Sequence, residues 1–109
     1  CKNVSAIRVV EISSLYSHTR PDGRKSSTTW DDLGYQWSGV GENIAKIGNY
    51  NTTSSLTQKA DEFYNLFKYS PSHYSCMINS KWKKAYFNIY ITYEEDGETV
   101  YHCVQTFSK

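Results

Sequence analysis

The stretch Lys84-Ala85-Tyr86-Phe87-Asn88-Ile89-Tyr90-Ile91-Thr92-Tyr93, followed by Glu94-Glu95-Asp96-Gly97 and by Glu98-Thr99-Val100-Tyr101-His102-Cys103-Val104-Gln105-Thr106-Phe107, decides the fold class. From Trp82 onward the side-chain period is two. Ala85, Phe87, Ile89, Ile91 and Tyr93 share one face of a strand, while Tyr86, Asn88, Tyr90 and Thr92 share the other. Asp96-Gly97 is a two-residue hairpin signal, because both central positions of such a turn favour φ > 0. A returning strand is therefore expected from about Glu98 to Phe107.

Upstream of the hairpin the period is helical. Val4 to Leu15 reads as a helix with Val4, Ile7, Ile12 and Leu15 near one stripe, widened by Val9 and Val10, and with Arg8 and Glu11 on its polar side. Pro21-Asp22-Gly23 is a turn in which Pro presets φ and Gly accepts φ > 0. A short helix is expected over 27–33, with Thr28 or Thr29 as cap and Gly34 as stop. Tyr35 to Lys46 reads as an irregular strand, and 48–53 as a polar loop. Ser54 or Ser55 is placed to cap a second long helix in which Leu56, Ala60, Phe63 and Phe67 recur at spacings of three and four. Ser70 is placed to cap a short helix from Pro71 through Ile78. Helices followed by a hairpin indicate an α+β domain, a sheet covered by helices.

The chain has 109 residues, enough for one domain, and 16% of them are aromatic, enough for one core. Twelve basic residues against eleven acidic ones leave a net charge of +1, which provides no electrostatic basis for binding nucleic acid or an anionic membrane. No run of about 18 apolar residues is present to cross a bilayer. The cysteines are Cys1, Cys76 and Cys103, with no CxxC pair to suggest a zinc finger. Cys76 and Cys103 can form one disulfide and leave Cys1 unpaired, or remain free.

Several stretches resemble one family. Leu15-Tyr16-Ser17-His18-Thr19-Arg20-Pro21-Asp22-Gly23, Gly41-Glu42-Asn43-Ile44-Ala45, Ser70-Pro71-Ser72-His73-Tyr74 and Val104-Gln105-Thr106-Phe107 occur in an order that resembles bacterial domains of the CAP superfamily, named for cysteine-rich secretory proteins, antigen 5 and pathogenesis-related 1 proteins. Arg8-Val9-Val10-Glu11-Ile12 resembles the helix segment that precedes the family's His loop. The resemblance implies a three-layer α-β-α sandwich formed by the whole of residues 1–109, and it places one further helix before Cys1. It also implies a secreted or surface-displayed bacterial protein. An N-terminal lipidated cysteine is the competing account of the abrupt start.

In that family a central cleft carries two His and two acidic residues. His18 matches the first His, Glu42 the first acid and His73 the second His; Phe67 stands in the family's Trp position, which puts Ser70 in place of the second acid. Two imidazoles and a carboxylate at one cleft can hold Zn²⁺ with open positions, and such a metal lowers the pKa of bound water. Without metal, Glu42 can orient a His as general base, or simply tie the loops together. Two positions at which the family carries other residues are here cysteine, and a Cys76–Cys103 disulfide explains both together. The leading function is then a non-enzymatic module binding a small lipid, a peptide or an extracellular protein in the His18, Ser70, Glu42, His73 cleft. The alternative is a metal-dependent hydrolase using His18, Glu42 and His73.

Outside that cleft little chemistry is expected. No GxSxG supports nucleophilic catalysis, and Cys76 lies one helical turn from His73, a Cys–His pair only if the thiol is free. His102 reads as a surface or packing residue of the last strand. Lys81, Lys83 and Lys84 read as a solvated strand entrance around Trp82, and Tyr86, Tyr90 and Tyr101 as an exposed aromatic face.

Overall fold

The computed structural model describes residues 1–49 and 56–109. Its centre is the returning strand of the hairpin. Strand β3 (Thr99–Ser108) lies between β2 (Lys84–Tyr93) and β1 (Val40–Asn49), and both pairings are antiparallel, giving the order β1-β3-β2. All of β3 except Gln105 is buried. Its two faces are both covered, so even Thr99, His102, Thr106 and Ser108 are buried although the strand is not an apolar run, whereas β2 lies at the sheet edge.

Four helices accompany the sheet among the described residues: α1 (Lys2–Ser14), α2 (Thr28–Asp32), α3 (Leu56–Lys68) and α4 (Pro71–Met77). Val9 and Ile12 of α1 pack with Ile44 and Val104. Phe63 and Phe67 of α3 pack with Ala45, Tyr101 and Cys103, joined by Phe87, Ile89 and Ile91 of β2. Neighbouring residues in a strand point to opposite faces. Ile44 and Ala45 therefore assign the two clusters to the two sides of the sheet, and helices cover both. The domain is a small α+β structure with a three-stranded antiparallel sheet.

Several local expectations are corrected. The buried stripe of α1 is Val4, Ser5, Arg8, Val9 and Ile12, whereas Val10 and Leu15 are exposed. The stripe is rotated toward Arg8 because that guanidinium finds carboxylate partners within the fold. The hairpin loop is not a two-residue turn. Glu94 N donates to Glu98 O at 2.8 Å, and Gly97 N donates to Glu94 O at 3.1 Å. Glu95, Asp96 and Gly97 thus form a three-residue loop, with Gly97 at φ 91° in the position that calls for glycine. Of the tyrosines expected on one exposed face, Tyr86 and Tyr90 are exposed, but Tyr101 is buried; it pairs with Ile91, on the α3 side.

The turn at Pro21-Asp22-Gly23 forms as expected, closed by Gly23 N on Arg20 O at 2.9 Å. Helix α2 also ends as expected, where Gly34 N reaches Asp31 O at 2.9 Å, but its N-cap is Ser27, and Thr28 and Thr29 lie inside it. The irregular strand expected from Tyr35 begins only at Val40 and is then regular to Asn49. The polar loop and the Ser54 or Ser55 cap fall largely or wholly outside the described residues.

The geometry also separates the two cysteines of the expected bridge. Cys76 Sγ comes within 3.6 Å of the place a side chain at Gly41 would occupy. Gly41 pairs with Phe107, whereas Cys103 pairs with Ala45. Four residues along an extended strand span about 13 Å, and a disulfide needs Cα atoms within roughly 7 Å. Cys1, Cys76 and Cys103 are all free thiols.

Candidate functional site

The site grows from a buried arginine. Arg8 sits in the middle of α1 with its side chain fully excluded from solvent. Its Nε donates to Glu42 Oε1 at 2.7 Å and its Nη2 to Glu42 Oε2 at 3.1 Å, a two-point clamp on the carboxylate from β1. Nη1 donates to Glu11 Oε1 at 2.8 Å, and Nη2 also reaches the carbonyl of Ser17 at 2.8 Å. One guanidinium therefore ties helix, strand and His loop together, and its donors fit carboxylates in the planar fork that arginine supplies and lysine does not.

The charges continue outward in alternation. Glu11 accepts from Arg20 at 2.9 to 3.1 Å. Arg20 in turn donates to Asp32 Oδ2 at 2.7 Å and to Thr28 Oγ1 at 3.0 Å, fastening the loop to α2. Arg24 bridges Asp22 and Asp32 at the exposed end. Arg20, together with Arg8 on the Ser17 carbonyl, thus holds the loop that presents His18.

His18 Nδ1 lies 2.8 Å from Glu42 Oε2, while its imidazole is 61% exposed. With Glu42 ionised, Nδ1 carries the proton of this contact, and the carboxylate fixes the orientation of the ring. Burial acts to raise the Glu42 pKa, but hydrogen bonds from His18 and Arg8 and the charges behind them outweigh it, so the carboxyl titrates below its ordinary range.

His73 is carried by α4. Its Nδ1 lies 2.8 Å from Ser70 Oγ, so the serine expected to cap α4 turns to the imidazole and makes no side-chain capping bond. The Phe67 ring sits 5.1 Å from the His73 ring. Asn43 Nδ2 donates to the His73 carbonyl and to Gln105 Oε1, both at 3.2 Å, pinning α4 to the sheet. Burial first, and the charge of His18 second, push the His73 pKa down.

The sequence-derived residues thus divide into two linked pairs, His18 with Glu42 and Ser70 with His73. The zinc expectation meets an obstacle in the donor set. Both Glu42 oxygens are occupied by Arg8, and one also by His18, so the carboxylate serves as a counter-ion. Among the described residues no three His, Cys, Asp or Glu side chains converge to hold a metal ion. Arg8 and Asn43 are the functional positions that sequence reasoning passed over. Arg8 stood within a segment quoted for the resemblance, beside Glu11, and that pairing was the available signal. Of the surface or packing roles expected for His102, the structure shows the packing one: it is buried, with Nε2 3.0 Å from Thr92 Oγ1.

Comparison with known proteins supplies one structural likeness. The fold is similar to that of an outer surface protein from Borrelia burgdorferi, with a TM-score of 0.61 over 97% of this chain and 71% of that one, at 17% sequence identity. No protein-family model and no curated protein matches the chain. Among the described residues no helix is long and apolar enough to cross a membrane.

Proposed function

We propose that this chain is a CAP-type domain displayed at a cell surface or secreted, acting as a non-enzymatic binding module through the face that carries His18, Ser70 and His73. One observation carries the reading: the Glu42 carboxylate is committed to Arg8. A carboxylate clamped by a guanidinium and held ionised is a poor general base and a poor metal ligand, but it orients an exposed imidazole well. His18 is then a fixed polar contact on an accessible rim, and His73, whose charged form burial disfavours, offers a second contact beside the Phe67 ring. Small lipids and peptides both suit such a mixture.

The architecture agrees with this reading without demanding it. Helix α1 on one face and α3 and α4 on the other support the reading of a three-layer sandwich. The likeness to an outer surface protein supports a surface location. The metal-dependent hydrolase reading loses the carboxylate it depended on.

The test follows the Cε1–H proton resonances of His18 and His73 during titration with lauric acid and, separately, with a short peptide, alongside a casein-cleavage assay with and without millimolar Zn²⁺. Saturable shifts of both imidazoles by one of the two ligands, with no cleavage, are expected. Zn²⁺-stimulated cleavage that disappears in His18→Ala would overturn the reading, as would imidazoles unmoved by either ligand.

A further inference from the structure

Residues 30–39 lead from α2 into β1 and bring three aromatic side chains to one place. Trp30 is buried. The Tyr35 ring meets it edge-on, centroid to centroid 6.2 Å, and the Tyr35 hydroxyl accepts from Asn3 Nδ2 at 2.7 Å. Trp37 donates its Nε1 to Asp31 Oδ1 at 3.0 Å. Tyr35 and Trp37 are nonetheless each 40% exposed. Each ring has its polar atom engaged by the protein and a large part of its surface open, so its orientation is set before anything binds.

Two hollows meet at Trp37. One, of about 310 Å³, has Trp30, Tyr35 and Lys84 in its wall. The other, of about 360 Å³, has Ser38. Gln36, Trp37 and Lys109 belong to both walls, so the hollows form one trough divided by the indole. Lys84 and Lys109 are exposed. None of these residues belongs to the His18, Glu42, Ser70 and His73 set.

We propose that this trough binds an acidic saccharide, with sugar rings stacked on Trp37 and Tyr35 and a carboxylate held by Lys84. The C–H faces of a pyranose match an aromatic surface in shape and polarity, and ring hydroxyls match the Gln36 amide. The charge pattern selects a carboxylate over a polyphosphate. Two lysine point charges balance a singly charged carboxylate, and the Asp31 carboxylate at the Trp37 edge adds a repulsion that grows with ligand charge and so falls hardest on a polyphosphate. A trough divided by one indole suits at least two consecutive sugar units.

Isothermal titration calorimetry with trigalacturonic acid tests this, with maltotriose as the uncharged comparison and ATP as the polyphosphate. Saturable binding of trigalacturonic acid is expected, with maltotriose weaker by about tenfold, a difference of about 1.4 kcal/mol. Trp37→Ala should weaken binding by at least about tenfold and Trp37→Phe by much less, because a phenyl ring still stacks. Lys84→Gln should weaken the acid and leave maltotriose unchanged. Circular dichroism melts of the variants verify that each remains folded. Absence of binding, equal binding by Trp37→Ala, or tighter binding of ATP or maltotriose than of the acid would each overturn the proposal.

Discussion

Arg8 shows what a single side chain does here. Among the described residues its guanidinium is the permanent cation paired with Glu42, whose other side-chain partner is the His18 imidazole, and the Glu42 side chain is 6% exposed. Removing one partner of such a pair strands the other charge, at a cost of about 3–5 kcal/mol. Arg8→Met should therefore lower the unfolding free energy by that amount in urea titrations, and Arg8→Met/Glu42→Gln should recover part of it. The same pair sets the response to acid. A carboxyl whose folded pKa lies below its unfolded value contributes stability that is present in full above the unfolded value and lost as the pH falls toward the folded one. Glu42 and Glu11 both have lowered values, so stability should decline as the pH drops below the ordinary carboxylate range. In Glu42→Gln the decline should be shallower. A pH series of urea midpoints checks both, and an unchanged acid limb would show that Glu42 does not carry it. His18, Glu42, Ser70 and His73 were legible in the sequence because they sit in short recognisable segments. The engagement of Arg8 was not: an arginine four residues from the valine and the isoleucine of a helical stripe looks like the polar side until its partner, 34 positions away, is brought to it.

Among the elements, legibility followed the distance along the chain over which each is decided. Helix α3 and the β2–β3 hairpin were visible because their periods and turn residues are local. The hairpin loop was longer than Asp96-Gly97 suggested, because Glu94 and Glu98 still pair outside it. The regularity of β1 was hidden by its glycines, and Gly41 explains why one of them is there. A Cβ on Gly41 would lie 2.7 Å from Trp82 Cζ2. That indole cannot simply swing away: it stacks on Phe107 at 5.6 Å, and its Nε1 donates to the Cys76 carbonyl at 2.8 Å. Gly41 therefore lets α4, the entrance of β2 and the end of β3 close over β1. Gly41→Ala should cost about 1–3 kcal/mol, the usual range for overpacking a filled site. Shrinking the opposing ring in Gly41→Ala/Trp82→Leu should make the alanine less costly than it is alone. A double-mutant cycle of urea midpoints reads that coupling, and strictly additive losses would rule out the clash as the cause.

For the molecule as a whole, the non-local choice was where β1 joins the sheet, and pairing it to the far edge of β3 makes β3 the strand that everything else covers. Neither a hairpin motif nor a helical stripe contains that information; it comes from the demand that Val104 and Cys103, adjacent in the chain and both 0% exposed, be buried on opposite faces at once. The cysteines report on this arrangement. Burial pushes the Cys103 thiol pKa far up, and Phe63 and Phe67 of α3 cover its face of the sheet. Reagent can reach it only when the central strand is exposed, which requires the sheet and its helices to separate. Cys76 is half-buried on the short helix α4, where a local opening suffices. In native buffer a disulfide-exchange reagent should modify Cys76 quickly and Cys103 only at a rate set by global unfolding. The protection of Cys103 should then fall in step with urea-measured stability across Arg8→Met and Gly41→Ala. Because Cys76 stands near Gly41 while Cys103 pairs with Ala45, four residues or about 13 Å further along β1, adding reductant should leave the melting temperature unchanged. A melting temperature that drops on reduction, together with a mass two hydrogens lighter before it, would mean that the two cysteines are bridged and that α4 sits further along β1 than Gly41.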